Sequence, residues 1–278
     1  MRFLKEPAKA KINLTLHVGR IIKDVSDPFY GYHPLDSLVV FADIADEIVM
    51  SPAEVTALSI EGPFGASLTG ENDNLILRAL RAASAKPHQI KLTKNLPVSA
   101  GIGGGSANAA AVLRMCGVDD LHTAVSLGAD VPVCLRSETA HMTGIGKDVT
   151  LMPNMGQLHA VLVNPGVAVS TGKIFKAFDA APDIRETPRP MKQKGDLLVR
   201  ALDGRNDLEP IAIAQAPIIG DVLRMIASQI GCQLARMSGS GATCFGVYEN
   251  RTAARRAKAA IKAQAPDWWC EAVILGDK

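Results

Sequence analysis

The sequence predicts an α+β chain built from two units, and three observations carry that prediction. Short apolar–polar alternations, of which Ala10 to Val18 is the first, place strands among segments of helical period. A run of small residues, Pro97 to Asn108, stands between a strand pattern and an alanine-rich helix pattern. The stretch Thr143 to Gly156, rich in Gly, Pro and Asn, suits a junction, and strands alternate with helices again beyond it. The units expected are residues 1–153 and 154–278.

Each element follows from its local pattern. In the first strand Ile12, Leu14 and Leu16 fall on one side and Lys11, Asn13 and Thr15 on the other, as in a half-buried strand. Leu38 to Phe41 and Glu47 to Met50 read as two further strands. Asn74 to Ala85 has helical spacing, Gln89 to Lys94 is a short strand, and Ser106 to Met115 is the alanine-rich helix. The helix between Met115 and Leu127 looks short. His159 to Asn164 is a strand, and Thr171 to Phe178 opens a helix. Ala181 to Gly195 carries three prolines among charges and reads as a mobile surface loop. Pro217 to Ile230 is an amphipathic helix that turns Val222, Leu223, Ile226 and Ile230 inward. Leu234 to Val247 encloses a second small-residue loop between two strands; Thr252 to Gln264 is a helix and Glu271 to Leu275 a last strand.

Composition narrows the function classes. A net charge of +2, spread along the chain, lacks the basic footprint of a nucleic-acid binder. The one basic cluster, within Arg251 to Lys262, has the spacing of a solvated helix face. Five cysteines without a CxxC argue against a disulfide framework or a zinc site and suit reduced thiols in a cytosol. The histidines show no metal-ligand spacing, and no apolar run approaches the roughly 20 residues of a membrane span. A cytoplasmic protein acting on a small molecule, with neither nucleic acid nor membrane as partner, is the expectation.

The strongest local signal is the loop Pro97, Val98, Ser99, Ala100, Gly101, Ile102, Gly103, Gly104, Gly105, Ser106, Ala107. Glycines let successive backbone N–H groups converge with no Cβ in the way, and the following helix adds unsatisfied donors and the positive end of its dipole. Such a loop suits a polyphosphate. Ser106 can cap the helix or offer its hydroxyl to phosphate or to a phosphate-bound metal. A Walker A loop needs a G-K-[ST] that is missing, and the dinucleotide fingerprint fails at its last glycine. The bland alternative is a flexible connector.

This loop resembles the second motif of the GHMP kinases. Ala10 to Leu14 resembles their first motif, and Ser238-Gly239-Ser240-Gly241-Ala242-Thr243 their third, in the family's order. Gly31-Tyr32-His33, Asp73-Asn74-Leu75-Ile76 and Leu127 to Pro132 are similar to the diphosphocytidyl-methylerythritol kinases within that superfamily. The chain departs from them at Tyr30, where Asp is frequent, in the unusual Asp24 to Phe29 stretch, at Ser99-Ala100 and at Ala107.

The resemblance implies an N-terminal domain like ribosomal protein S5 domain 2 and a ferredoxin-like C-terminal domain, with ATP and substrate between them. It implies transfer from ATP, accompanied by Mg²⁺, to a tertiary hydroxyl of a diphosphocytidyl-methylerythritol substrate. Asp130 before Val131-Pro132 reads, from the residues alone, as a helix N-cap. The resemblance makes it the proton acceptor instead, with Lys11 beside it holding charge and geometry. By the same resemblance Asn13, Tyr32, His33, Thr171 and Phe175 face the substrate, the last four around its cytidine side or in the second domain. Asn74 and Lys94 lie near the adenosine. Ser238, Gly239, Ser240 and Gly241 face the phosphates. Taken singly, Lys11 and Asn13 are outward strand residues, Gly-Tyr-His a turn and Phe175 helix core. Asp36 and Asp148 read as surface residues, and no metal ligand is assigned. Two rivals stand beside this reading: a homoserine- or mevalonate-type kinase, against which Gly31 to His33 and Leu127 to Pro132 argue, and a non-enzymatic nucleotide- or RNA-binding protein, against which Lys11 and Asp130 argue.

Overall fold

The computed structural model describes residues 3–68, 74–182, 184–191 and 194–277; Asp73 lies outside them. The first half is a sheet organised on one long strand. Strands β1 (Leu4–Asn13) and β2 (His17–Val18) run antiparallel to β3 (Leu35–Pro52). The two strands expected at 38–41 and 47–50 are thus one, because the irregularity between them is a bulge within β3, where residues 42–44 face Ala10 alone and pairing with β1 resumes on either side. Beyond β3 come β4 (Ala57–Glu61), a 3-10 turn at Gly65–Leu68, and α1 (Leu75–Ala82). Then follow β5 (His88–Thr93), antiparallel to β3 and parallel to β4, and α2 (Gly104–Met115). Helices α3 (Leu121–Leu127) and α4 (Val131–Arg136) precede β6 (Ala140–Gly144) and β7 (Asp148–Leu151).

The expected junction at 143–156 is therefore largely a hairpin. Gly144 and Gly146, both at positive φ, serve its turn, and β6 pairs with both β3 and β7.

The second half runs β8 (Leu158–Asn164), α5 (Thr171–Asp179), α6 (Leu197–Asp203), α7 (Glu209–Gln215), α8 (Ile218–Ala227), β9 (Cys232–Met237), β10 (Cys244–Tyr248), α9 (Arg251–Gln264) and β11 (Trp269–Leu275). Its strand order β11-β8-β10-β9, antiparallel throughout, is that of a split β-α-β-β-α-β unit. Leu275 meets Ala42 of β3 and joins the two sheets. In α8 Val222 and Ile226 are buried, but Ile230 is 76% exposed, because the helix ends at Ala227 before its face returns inward.

Three cores result. One lies under α1, α2 and α4, one under the C-terminal helices, and the third, with Ile12, Leu14, Leu38, Leu162 and Phe245, lies between the halves. Alanines at 107, 109, 110 and 111 are buried and let α2 lie close on β1. Both faces of β1 are consequently covered, so Lys11 and Asn13 are buried rather than outward.

Nor is residues 184–191 a loose surface loop. His17 and Arg20 bond the carbonyls of Arg189 and Ile184, Arg20 N–H donates to the Arg185 carbonyl, and Met191 is buried with its N–H on Asp36. Asp36 is accordingly buried too, with His141 Nε2 at 2.9 Å from its second oxygen. Among the described residues no helix is long and apolar enough to cross a membrane.

Candidate active site

Both halves of the chain open onto one cavity of about 850 Å³, floored by β1 and the glycine loop. The loop's backbone explains its composition. Gly101 and Gly103 take φ of +72° and +64°, the left-handed region that L side chains avoid. A Cβ on Gly101 would stand 2.5 Å from the Ser238 carbonyl oxygen, so this glycine also permits the close approach of the second small-residue loop. Ser238 ties the loops to β1: its hydroxyl donates to the Gly101 carbonyl at 3.0 Å and accepts the Asn13 N–H at 3.1 Å. Lys11 N–H donates to the Ile102 carbonyl at 2.9 Å.

Gly103 is the N-cap of α2 and offers no side-chain cap. The N–H groups of Gly104, Gly105 and Ser106 therefore have no partner inside the helix, and these residues line the cavity. That is a concentration of free donors at the positive end of a 12-residue helix.

At one flank of the loop stand Lys11 and Asp130. Lys11 Nζ donates to Asp130 Oδ2 at 2.8 Å and to Asn13 Oδ1 at 2.9 Å. Asn13 in turn donates to Ser37, whose hydroxyl donates to the Thr15 carbonyl. The chain of bonds fixes the ammonium. Asp130 occupies the N-cap position of α4, yet its side chain makes no capping bond. It turns to Lys11 instead and keeps 36% of its side chain open, whereas Lys11 is 4% open. Beneath them burial, and next the Asp130 charge, push the Cys134 thiol up to about 12, so it stays protonated and takes no nucleophilic part.

At another flank Lys94 Nζ donates to Asp46 Oδ2 at 2.6 Å. Asp46 also accepts the N–H groups of Asn95 and Leu96, both at 2.8 Å. Burial pulls the Lys94 ammonium downward in pKa, opposed by Asp46.

The C-terminal half supplies Thr171, Phe175, Gly239 and Ser240 to the cavity wall, with the Thr171 and Ser240 hydroxyls 2.8 Å apart. His33 reaches the same region. Its ring lies 4.8 Å from that of Phe175, Nδ1 is 3.0 Å from the Gly19 carbonyl, and Nε2 is 3.5 Å from Asp179.

Of the residues expected at the site, Lys11, Asn13, Lys94, Pro97 to Gly101, Gly103 to Ser106, Asp130, Thr171, Phe175, Gly239 and Ser240 line the cavity. Ile102 and Ala107 are buried beneath the loop, and Ser238 and Gly241 stand behind it. Asn74 does not line the cavity; its Oδ1 caps α1, accepting the N–H groups of Ile76 and Leu77. Tyr32 is 52% exposed and lies outside the wall. Sequence reasoning missed Leu68, Leu208 and Ser170, which read as ordinary core or loop, and Asn108, a buried amide on α2.

Comparison with known proteins identifies the family. The model of the GHMP kinases N terminal domain matches residues 74–138, and that of the GHMP kinases C terminal region matches 174–267. The chain is 47% identical over 274 residues to the 4-diphosphocytidyl-2-C-methyl-D-erythritol kinase of Cereibacter sphaeroides (strain ATCC 17029), covering 94% of this chain and 95% of that one. With the same-named protein of Methylobacterium radiotolerans it shares 43% over 296 residues, covering 99% and 100%. A crystal structure of 4-(cytidine 5'-diphospho)-2C-methyl-D-erythritol kinase superposes with a TM-score of 0.79 at 30% identity, over 99% of this chain and 100% of that one. The homoserine kinase of Cytophaga hutchinsonii shares the fold, at a TM-score of 0.60 and 18% identity over 96% and 94% of the two chains.

Proposed function

The chain belongs to the GHMP kinases, and from that premise we infer how its cavity performs the family's reaction. It phosphorylates 4-diphosphocytidyl-2-C-methyl-D-erythritol at the 2-hydroxyl with ATP, giving the 2-phosphate and ADP, in non-mevalonate isoprenoid precursor biosynthesis. The two lobes are taken as residues 1–153 and 154–278.

The observation that carries the assignment of roles is the side chain of Asp130, which leaves its capping position and meets a buried lysine at the cavity wall. One carboxylate oxygen, Oδ2, is engaged by Lys11, and the half-open carboxylate at the cavity wall can accept a hydroxyl proton. Lys11, fixed by Asn13, orients the carboxylate and offers positive charge where the transferred phosphoryl gains negative charge. Free N–H groups of Gly104, Gly105 and Ser106 bind the ATP phosphates, and Ser240 with Thr171 closes the other side. His33 and Phe175 orient the cytidine end, the first by an imidazole hydrogen bond and the second by its ring face.

Magnesium accompanies ATP in this superfamily and neutralises phosphate charge when bound. Among the described residues no three His, Cys, Asp or Glu side chains gather, and Ser106 at the cavity edge is the group placed to reach a phosphate-bound ion. The five cysteines are free, which suits a reducing cytosol.

The test is phosphoryl transfer from ATP with Mg²⁺ to a panel of acceptors. ADP should form with the cytidyl substrate and not with homoserine or mevalonate. Equal turnover of either of these would overturn the substrate assignment.

A further inference from the structure

The segment joining α6 to α7 ends in Asn206-Asp207-Leu208, with Glu209 opening α7, and it braces the second small-residue loop from behind. Its backbone is pinned to the first half of the chain. Leu16 N–H donates to the Arg205 carbonyl and Asp207 N–H to the Leu16 carbonyl, both at 2.8 Å. Asp207 Oδ2 accepts the Val18 N–H at 2.9 Å. Glu209 Oε2 accepts the Met237 N–H at 2.7 Å, where β9 runs into the loop.

Within this brace Asn206 is buried and grips the loop itself. Its Nδ2 donates to the Met237 carbonyl and to the Gly239 carbonyl, both at 2.8 Å, and its Oδ1 accepts the Leu208 N–H at 2.9 Å. These partners also fix which end of the amide is which, since two carbonyls call for donors and an N–H for an acceptor. The residue type follows from the same count. A serine hydroxyl has one hydrogen to offer and an ionised aspartate none, whereas the amide nitrogen has two beside an acceptor.

The grip has a consequence at the cavity. Gly239 and Ser240 line it, and Asn206 stands behind them. The Gly239 carbonyl and the Ser240 N–H are the two ends of one planar trans peptide. Drawing that carbonyl back onto Asn206 therefore sends the Ser240 N–H the opposite way, out from the buried side of the loop. Holding the Met237 carbonyl with the same amide stops the loop from rocking about Ser238, whose hydroxyl accepts the N–H of Asn13, the residue that fixes Lys11. We propose that Asn206 is a positioning residue for the transfer step, aiming the Ser240 N–H at the transferred phosphoryl group without touching donor or acceptor. The proposal rests on the phosphates lying between the two small-residue loops, as inferred above.

The experiment pairs steady-state transfer from ATP to the cytidyl substrate with the affinity for ADP, which lacks the transferred group. Asn206→Asp keeps the size of the side chain and removes both donors. Its kcat, per folded molecule, should fall by about 10- to 100-fold, while KM for the cytidyl substrate and Kd for ADP change by less than about 3-fold. Asn206→Ala, which sets no charge against the two carbonyls, should give the same split if the aspartate variant fails to fold. Unchanged kcat in either folded variant would overturn the role and leave Asn206 a clasp of the fold. ADP affinity lost in step with kcat would overturn it too, because the glycine loop itself would then have moved. Failure of both variants to fold would assign the amide to the fold alone and overturn the role as well. An unaltered protein that does not transfer to the cytidyl substrate would instead sink the functional reading on which the proposal rests.

Discussion

Two lysine–aspartate pairs flank the same glycine loop, and they have opposite characters. Lys94 and Asp46 are sealed, at 3% and 0% side-chain exposure; Lys11 and Asp130 are 4% and 36% exposed. Their N–O distances hardly differ, at 2.6 and 2.8 Å. The difference lies in what else fills each carboxylate. Asp46 accepts one ammonium and two backbone N–H groups, so its lone pairs are spent on fixing the approach to the loop. Asp130 forgoes the cap it is positioned to make and leaves an oxygen toward the cavity. The same residue types thus become scaffold or chemistry according to the company their oxygens keep, and pair distance alone would not tell them apart.

The largest effect that can break this contrast is Asp130→Asn. The Asp130 side chain makes no capping bond and pairs with buried Lys11, so a purely structural role predicts lost stability with unchanged turnover of the folded protein. If Asp130 takes the proton, kcat should fall by about 10²- to 10⁴-fold in protein that is still folded and binds ATP. Wild-type kcat in a folded Asp130→Asn protein would make the open pair as structural as the sealed one.

Asp46→Asn tests the other half. Breaking a buried ion pair by neutralising one partner typically costs about 3–5 kcal/mol, because the remaining charge stays buried. Denaturant unfolding should show that loss, with the activity of the remaining folded fraction reduced far less than in Asp130→Asn. A stable Asp46→Asn protein with collapsed kcat would assign the chemistry to the wrong pair.

How much of this was legible beforehand differs between the same two pairs. Small-residue loops are local in sequence, so the glycine loop stood out, whereas Lys11 and Asp130 read alone as an outward strand residue and a helix cap and were singled out only by the family resemblance. The order of strands and helices in the second half followed from periodicity, which is local too. Burial of Lys11 and Asn13 did not, since alternation records one covered face; the other is covered by α2 and by a loop over 200 positions away, through Ser238. Asp46 gave no signal at all, because its partners Lys94 to Leu96 are distant in sequence and two of the bonds are to backbone. Prolines and charges made residues 184–191 look loose, whereas its backbone carbonyls and N–H groups answer side chains of the first half.

That strap carries the smallest expected effect, one that acts on the seam between the lobes and on neither pair. His17 is buried with both ring nitrogens committed. Nδ1 lies 2.6 Å from the Arg189 carbonyl, so it carries the proton, and Nε2 accepts the Arg205 N–H at 3.2 Å. Protonation would set a second N–H against that donor. Burial is the main cause that lowers the His17 pKa, with Arg205 adding to it; the Arg189 carbonyl, Asp207 and Asp36 pull the other way. With the folded pKa below the ordinary 6.5, the unfolded chain binds the proton more readily. The contribution of His17 is therefore complete above pH 6.5 and declines as pH falls through the folded value. Melting temperature should drop between neutral pH and mildly acid pH, and His17→Gln, whose amide keeps a donor and an acceptor without titrating, should flatten that part of the profile. Identical pH slopes in the two proteins would remove His17 as the titrating clasp and leave it a neutral fastener.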